Sequence, residues 1–159
     1  MKDILLIIIV LATVWSCDST KKLKTPVAEA VTGYDSLMAA KVGADQYGMR
    51  KYVMAFLKAG PERSQSKAEA DSIQRAHLNN IKAMAEDGKL VLAGPFMDNS
   101  EIRGIYIFAV ESIEEAEKLT KTDPAIVSGR LVMDLRPWYG SAGLMKINEI
   151  HSQISKISI

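Results

Sequence analysis

The stretch RAHLNNIKAMAEDGKLVLAGPF, residues 75–96, predicts a helix followed closely by a short strand. A capping-box pattern, Ser66 with Glu69, opens the helix, and Asp87-Gly88 ends it. The strand KLVLAG comes next and ends at Pro95. Residues at three- and four-residue intervals define one face of the helix: Ala70, Ile73, His77, Ile81 and Met84.

The segments on either side of this stretch indicate the order of the remaining elements. YGMRKYVMAFLK reads as a strand before it, and GIYIFAV as a strand after it. A second capping box, Ser112 with Glu115, opens the helix IEEAEKLTK, and RLVMDLRPW alternates as a last strand. The order β-α-β-β-α-β predicts an α+β, ferredoxin-like domain with an antiparallel sheet, over residues 46–140.

The first strand is apolar on both faces. Tyr52, Met54 and Phe56 fall on one face, while Val53, Ala55 and Leu57 fall on the other. Because the two helices of this fold cover only one face, the other face would expose an apolar patch larger than monomers usually show. We therefore expect a homodimer, since a second copy is the simplest partner.

The N-terminus resembles that of a bacterial lipoprotein. An apolar run from Ile4 to Trp15 is too short to span a bilayer but suits a signal peptide, and VWSC resembles a lipobox ending at Cys17, the chain's single cysteine. This predicts a signal peptide over residues 1–16, a lipidated Cys17, and a polar tether over 17–45 with one possible helical turn at YDSLMAAK. Acyl chains would anchor the protein to a membrane of the bacterial cell envelope, in a leaflet that the sequence does not indicate. The alternative is an uncleaved N-terminal anchor with an incidental cysteine.

Composition and motifs exclude several classes of function. A net charge of +1 from 20 basic and 19 acidic residues argues against a nucleic-acid partner. The sequence lacks a glycine-rich phosphate loop, a nucleophile elbow and a cysteine pair, and its two histidines stand far apart. We therefore expect no metal and no cofactor.

His77 and Asp123 are the candidate catalytic residues. A histidine in an apolar stripe is either a hydrogen-bonded core residue or the working group of a small pocket. Asp123, in TDPAIVSG, suits a helix N-cap before Pro124. A carboxylate beside a partly buried imidazole also fixes its tautomer and prepares it to act as a general base.

Three further residues are candidates for substrate binding. Arg75 and Arg136 could hold an anionic substrate, although each also suits a solvated surface. Trp138 could form a pocket wall or simply close one end of the sheet.

Several of these segments together resemble the YciI-related domain: RAHLNNIKAMAEDGKLVLAGPF, RGIYIF, EEAEKLTKTDPAIVSGRL and RPWYG. The resemblance runs from about Tyr52 to Trp138. It implies a dimeric α/β-barrel fold and an acid–base site on His77 and Asp123, without supplying a reaction. The lipoprotein-like start and a weakly helical C-terminal extension over residues 141–159 depart from the plain domain.

Two hypotheses about function follow. The first is a small cofactor-free envelope enzyme that uses the His77–Asp123 pair on a small organic molecule of unknown identity. The second is a non-catalytic, lipid-anchored module for small-molecule binding or assembly. Whether His77 and Asp123 meet at a cavity separates them.

Overall fold

A four-stranded antiparallel sheet with its two main helices packed on one face forms the centre of the molecule. A computed structural model describes residues 33–157. The strands are β1 Met49–Ala59, β2 Leu90–Pro95, β3 Ile102–Phe108 and β4 Leu131–Ser141, and the helices are α1 Ser36–Val42, α2 Lys67–Glu86, α3 Ile113–Thr120, α4 Pro124–Val127 and α5 Ile147–Ile154. In the sheet the strands lie in the order β2-β3-β1-β4. A 3₁₀ helix, Ala142–Lys146, precedes α5. The predicted ferredoxin-like fold is confirmed.

Local sequence signals account for the start and end of α2. The Ser66 side chain accepts a hydrogen bond from the Glu69 backbone N–H, and the Glu69 carboxylate accepts one from the Ser66 N–H, so the predicted capping box is complete. At the other end Gly88 adopts a left-handed conformation with φ of 68°, which glycine reaches without steric cost. Both ends of the helix that carries His77 are therefore set by residues next to it in sequence.

At the second capping box the reciprocal bond is displaced by one residue. Ser112 accepts from the Glu115 N–H as predicted, but the Glu115 carboxylate accepts from the backbone N–H of Glu111. Helix α3 still begins where the sequence indicates.

The alternation predicted for β1 separates two clusters of buried side chains. Val53, Ala55 and Leu57 pack under the helices, in one cluster with Met84 and Phe108. On the opposite face of the sheet, Tyr52, Val91 and Ile107 form a second cluster.

The C-terminal extension covers part of the face that the two main helices leave open. Leu144 and Met145 of the 3₁₀ helix pack against the cluster of Tyr52, Val91 and Ile107. The apolar patch expected on this face is therefore reduced by the chain itself. Residues 36–42, expected within the tether as one helical turn, form α1 inside the compact unit that begins at Asp35.

Within residues 33–157, no helix combines the length and apolar character needed to cross a bilayer. The predicted signal peptide and Cys17 lie outside the described residues, as does most of the predicted tether.

Candidate active site

His77 and Asp123 meet in the interior, between α2 and the loop that enters α4. The Nδ1 atom of His77 lies 2.9 Å from Oδ1 and 2.8 Å from Oδ2 of Asp123. His77 is 8% exposed and Asp123 is fully buried. The predicted approach of the two side chains is confirmed.

The local sequence explains how Asp123 is held. Its Oδ1 atom accepts a hydrogen bond of 2.9 Å from the Ala125 backbone N–H, as an N-cap residue does, and Pro124 occupies the first turn of α4. Thr122 donates to Oδ1 of Asn80 at 3.0 Å, which ties this loop to α2 one turn beyond His77. The carboxylate of Asp123 is therefore both the N-cap of α4 and the partner of His77. The N-cap and the pairing with His77, which were both expected, occur in the same side chain.

This contact determines which nitrogen of the imidazole is available for chemistry. An ionised carboxylate only accepts hydrogen bonds, so Nδ1 of His77 carries the proton and donates it to Asp123. In the neutral ring the lone pair then lies on Nε2, which can accept a proton from another molecule. A carboxylate in this place orients the imidazole and stabilises the charged form that appears during proton transfer.

Tyr106 completes the buried cluster, and local sequence patterns did not identify it as a site residue. Its hydroxyl lies 3.4 Å from Nε2 of His77 and 3.5 Å from Oδ2 of Asp123, at the outer limit of hydrogen bonding. Burial, helped by the negative charge of Asp123, raises the pKa of Tyr106 well above its ordinary value, so the phenol remains protonated. The sequence does contain one signal for Tyr106, which is a tyrosine within the apolar run GIYIFAV. Because a buried Tyr hydroxyl usually finds a polar partner, such a tyrosine indicates a polar group nearby.

His77 lines a cavity of about 630 Å³, within the range of ligand sites in enzymes. One wall is a stripe along α2 consisting of Gln74, His77, Leu78, Ile81, Lys82 and Ala85. At the helical rise of about 1.5 Å per residue, this stripe is about 16 Å long. The fully buried Asp123 stands behind His77 and does not line the cavity.

The C-terminal extension contributes to the same cavity. Ile147, Asn148 and His151 of α5 line it, so both histidines of the chain border one space. Asn148 donates a hydrogen bond of 2.8 Å to the carbonyl of Leu90, which fastens α5 to the edge strand β2. The sequence alone does not place this extension at the site, because nothing in its local pattern shows where it packs.

The three predicted substrate-binding residues do not line this cavity. Arg75 is exposed on α2, outside the stripe that faces the cavity. Arg136 forms two hydrogen bonds of 2.9 Å with Asp134 on β4. Trp138 packs on Tyr52, with ring centres 5.7 Å apart, on the sheet face away from His77. Arg75 and Arg136 are therefore surface charges, and Trp138 packs against the sheet. These are the alternative interpretations given for the three residues above.

Among the described residues, no group of three or more His, Cys, Asp or Glu side chains is placed to hold a metal ion.

Residues 52–138, more than half of the chain, match the family model of the YCII-related domain. The chain belongs to the YCII-related domain family. A comparison with curated proteins finds no match.

Among solved structures, 5-chloro-2-hydroxyhydroquinone dehydrochlorinase from Burkholderia phenoliruptrix AC1100, in complex with 2,5-dihydroxybenzoquinone, is similar to this chain. The identity is 17% and the TM-score 0.42, over 54% of this chain and 92% of the other. A likeness of that size carries no inference about activity.

Proposed function

We propose that this protein is a small enzyme that moves a proton on an organic molecule, with His77 as the general acid–base and Asp123 as the residue that orients it. One observation carries the proposal: Asp123 holds Nδ1 of His77 at 2.8 and 2.9 Å while the same imidazole borders a cavity of about 630 Å³. A histidine with a purely structural role needs the hydrogen bond but no adjoining cavity. General acid–base catalysis by a positioned group contributes about 10²–10⁴-fold to a rate.

The test is proton exchange at carbon, which can be followed even when the reaction product is unidentified. A panel of keto acids, enol lactones and hydroxyquinones is incubated with the full-length protein in D₂O, and loss of the C–H signals is followed by NMR. We expect at least one compound to exchange faster with protein than without it, and His77→Gln to remove that acceleration. Asn79→Ala is the control, because it alters an exposed residue of the same helix and leaves both the imidazole and its Asp123 partner in place.

The opposing hypothesis is a binding module in which His77 has only a structural role. It predicts that His77→Gln is less stable by about 1–3 kcal/mol, through a disrupted buried hydrogen bond, and that any exchange is unchanged. Urea denaturation measured beside the exchange assay separates the two. A destabilised Gln variant with unaltered exchange would remove the catalytic proposal.

We also propose that the enzyme acts in the bacterial cell envelope, anchored through lipidated Cys17. The apolar run Ile4–Trp15, followed by Ser16 and then the chain's single cysteine, Cys17, supports this. Mass spectrometry of the membrane fraction should find a mature N-terminus at an acylated Cys17, and Cys17→Ala should remain unprocessed. An intact Met1 terminus on the membrane-bound protein would contradict the anchor and leave the chemistry of His77 unaffected.

A further inference from the structure

The charged groups on the cavity wall are all of one kind. Arg63, Lys82 and Arg103 line the cavity, and among the described residues on its wall there is no aspartate or glutamate. Much of the remaining lining is aliphatic: Leu57, Leu78, Ile81, Leu90, Leu92 and Leu131. A space with apolar walls and only positive charges is complementary to a ligand with an apolar body and a negative group.

The two arginines stand at the same end of the sheet. Arg103 is the second residue of β3, and Arg63 follows the end of β1 in the loop to α2. Strands β1 and β3 are antiparallel with Lys58 opposite Ile102, and the Ala59 N–H donates to the Glu101 carbonyl at 3.2 Å. The pairing therefore brings the segment that carries Arg63 next to the start of β3.

The loop that carries Arg63 is held against the start of β4. Gly60 donates to the Arg130 carbonyl at 2.8 Å, and Glu62 donates to the Gly129 carbonyl at 3.1 Å. A Cβ atom at Gly60 would lie 2.1 Å from the Gly129 oxygen, so only glycine allows this approach. The backbone directly before Arg63 is thus fixed, which reduces the entropy lost when its side chain binds a ligand.

Two acidic groups lie at this end, and among the described residues neither forms an ion pair with Arg63 or Arg103. Glu101 lies 3.9 Å from Lys58, and Asp98 accepts hydrogen bonds from Ser100. Those bonds, with a smaller contribution from Arg103, lower the pKa of Asp98. Neither arginine side chain has a hydrogen bond or an ion pair of its own with another described residue.

We propose that the cavity binds a small organic anion, with its apolar body against α2 and β2 and its negative group on Arg63 and Arg103. The proposal rests on the proposed function, because it names the class of molecule on which His77 acts. A carboxylate or an acidic phenol with a flat apolar skeleton fits this description. The arginine end and His77 line one continuous space, so a ligand held at one can extend toward the other.

Binding of two matched compounds to the full-length protein tests this inference. 2-Naphthoate and 2-naphthamide have nearly the same shape and differ in charge. We expect calorimetry to show about tenfold or greater preference for naphthoate, since the arginines supply a charge-assisted contact that the amide cannot make. NMR should show the imidazole resonances of His77 shifting with naphthoate. Added salt should reduce the preference, because exposed charges are screened.

Single substitutions test whether the two arginines cause the preference for naphthoate. Arg63→Gln and Arg103→Gln should each weaken naphthoate binding and leave naphthamide binding unchanged. Arg75→Gln removes an equally charged, exposed residue outside the cavity wall and should alter neither. Equal affinities for the two compounds, no binding of either, or an equal effect of Arg75→Gln would overturn the inference.

The exchange assay in D₂O tests the proposed function independently of ligand binding. If the two compounds bind alike while His77→Gln still abolishes exchange at carbon, the ligand class is wrong and the acid–base role stands. If naphthoate is preferred while His77→Gln leaves exchange unchanged, the cavity binds an anion without the proposed chemistry.

Discussion

Asp123 has two structural roles that two different substitutions at this position can separate. Its carboxylate caps α4 through the Ala125 N–H and holds Nδ1 of His77. Asparagine is as good an N-cap as aspartate, whereas alanine is a poor one. Asparagine nevertheless lacks the negative charge that stabilises a protonated imidazole. The pair of substitutions therefore distinguishes stability from proton transfer.

We predict that Asp123→Asn stays close to wild type in stability and loses most of the exchange activity assigned to His77. Asp123→Ala should lose that activity and in addition about 1–3 kcal/mol of stability, because it leaves buried donors without a partner. Urea denaturation and the D₂O exchange assay measure the two effects. An Asn variant with full exchange activity would show that the charge of Asp123 is not needed.

The buried hydroxyl of Tyr106 makes the stability of the folded protein depend on pH in the alkaline range. Because burial raises its pKa in the folded protein, the stability linked to this proton is present below the unfolded pKa of about 10 and is lost as pH rises above it. Tyr106→Phe removes the ionisable group and two long contacts, so we expect a change below about 1 kcal/mol at neutral pH. Above pH 10 the variant should lose stability less steeply than wild type. Tyr47→Phe, at a tyrosine that is 73% exposed, is the control; parallel alkaline profiles for wild type and Tyr106→Phe would contradict the linkage.

Among the secondary-structure elements, α5 is held by a polar contact with the sheet. Asn148 donates to the carbonyl of Leu90 at the start of β2, and the helix contributes no fully buried side chain. Its position at the cavity therefore relies on this bond and on the 3₁₀ helix before it, in which Ala142 is buried.

We predict that Asn148→Ala costs about 0.5–1.5 kcal/mol, the net value of one hydrogen bond, and increases amide exchange along α5. Gln153→Ala is the matched control, because it changes an exposed residue of the same helix. Hydrogen exchange followed by mass spectrometry compares the amide exchange of α5 in the two variants. Equal protection of α5 in both variants would show that the bond to Leu90 does not hold the helix.

At the scale of the whole molecule, we propose that the protein is a homodimer formed through the sheet face opposite α2. Leu144 and Met145 cover one part of that face. Phe56 and Ile105, which pair across β1 and β3, are only partly buried, and Val132 is 44% exposed. Lys58 and Asp134, 3.5 Å apart, add a charged border. A stable dimer requires about 1,000 Å² or more of buried surface.

We expect sedimentation to give about twice the monomer mass and Phe56→Glu to yield a monomer, since a buried unpaired charge opposes association. Val127→Glu places the same charge at a residue of α4 that is 73% exposed, and should leave the dimer intact. A wild-type monomer at micromolar concentration would refute the dimer.

Local patterns in the sequence determined the order of elements, the start of each main helix and the face to which each residue of β1 points. Periodicity and capping depend on neighbours within about four residues, and Ser66, Gly88 and the alternation Val53, Ala55, Leu57 all act at that range. The resemblance to the YciI-related domain added the pairing of His77 with Asp123, which periodicity and capping could not supply.

The packing of distant elements determines which side chains share a space. Tyr106 reaches His77 because β3 lies under α2, and α5 reaches the cavity because a 3₁₀ helix turns the chain back along β2. Arg75 and Arg63 are both exposed arginines, yet only Arg63 lines the cavity. Contacts between residues far apart in sequence depend on how elements pack, and no local periodicity carries that information.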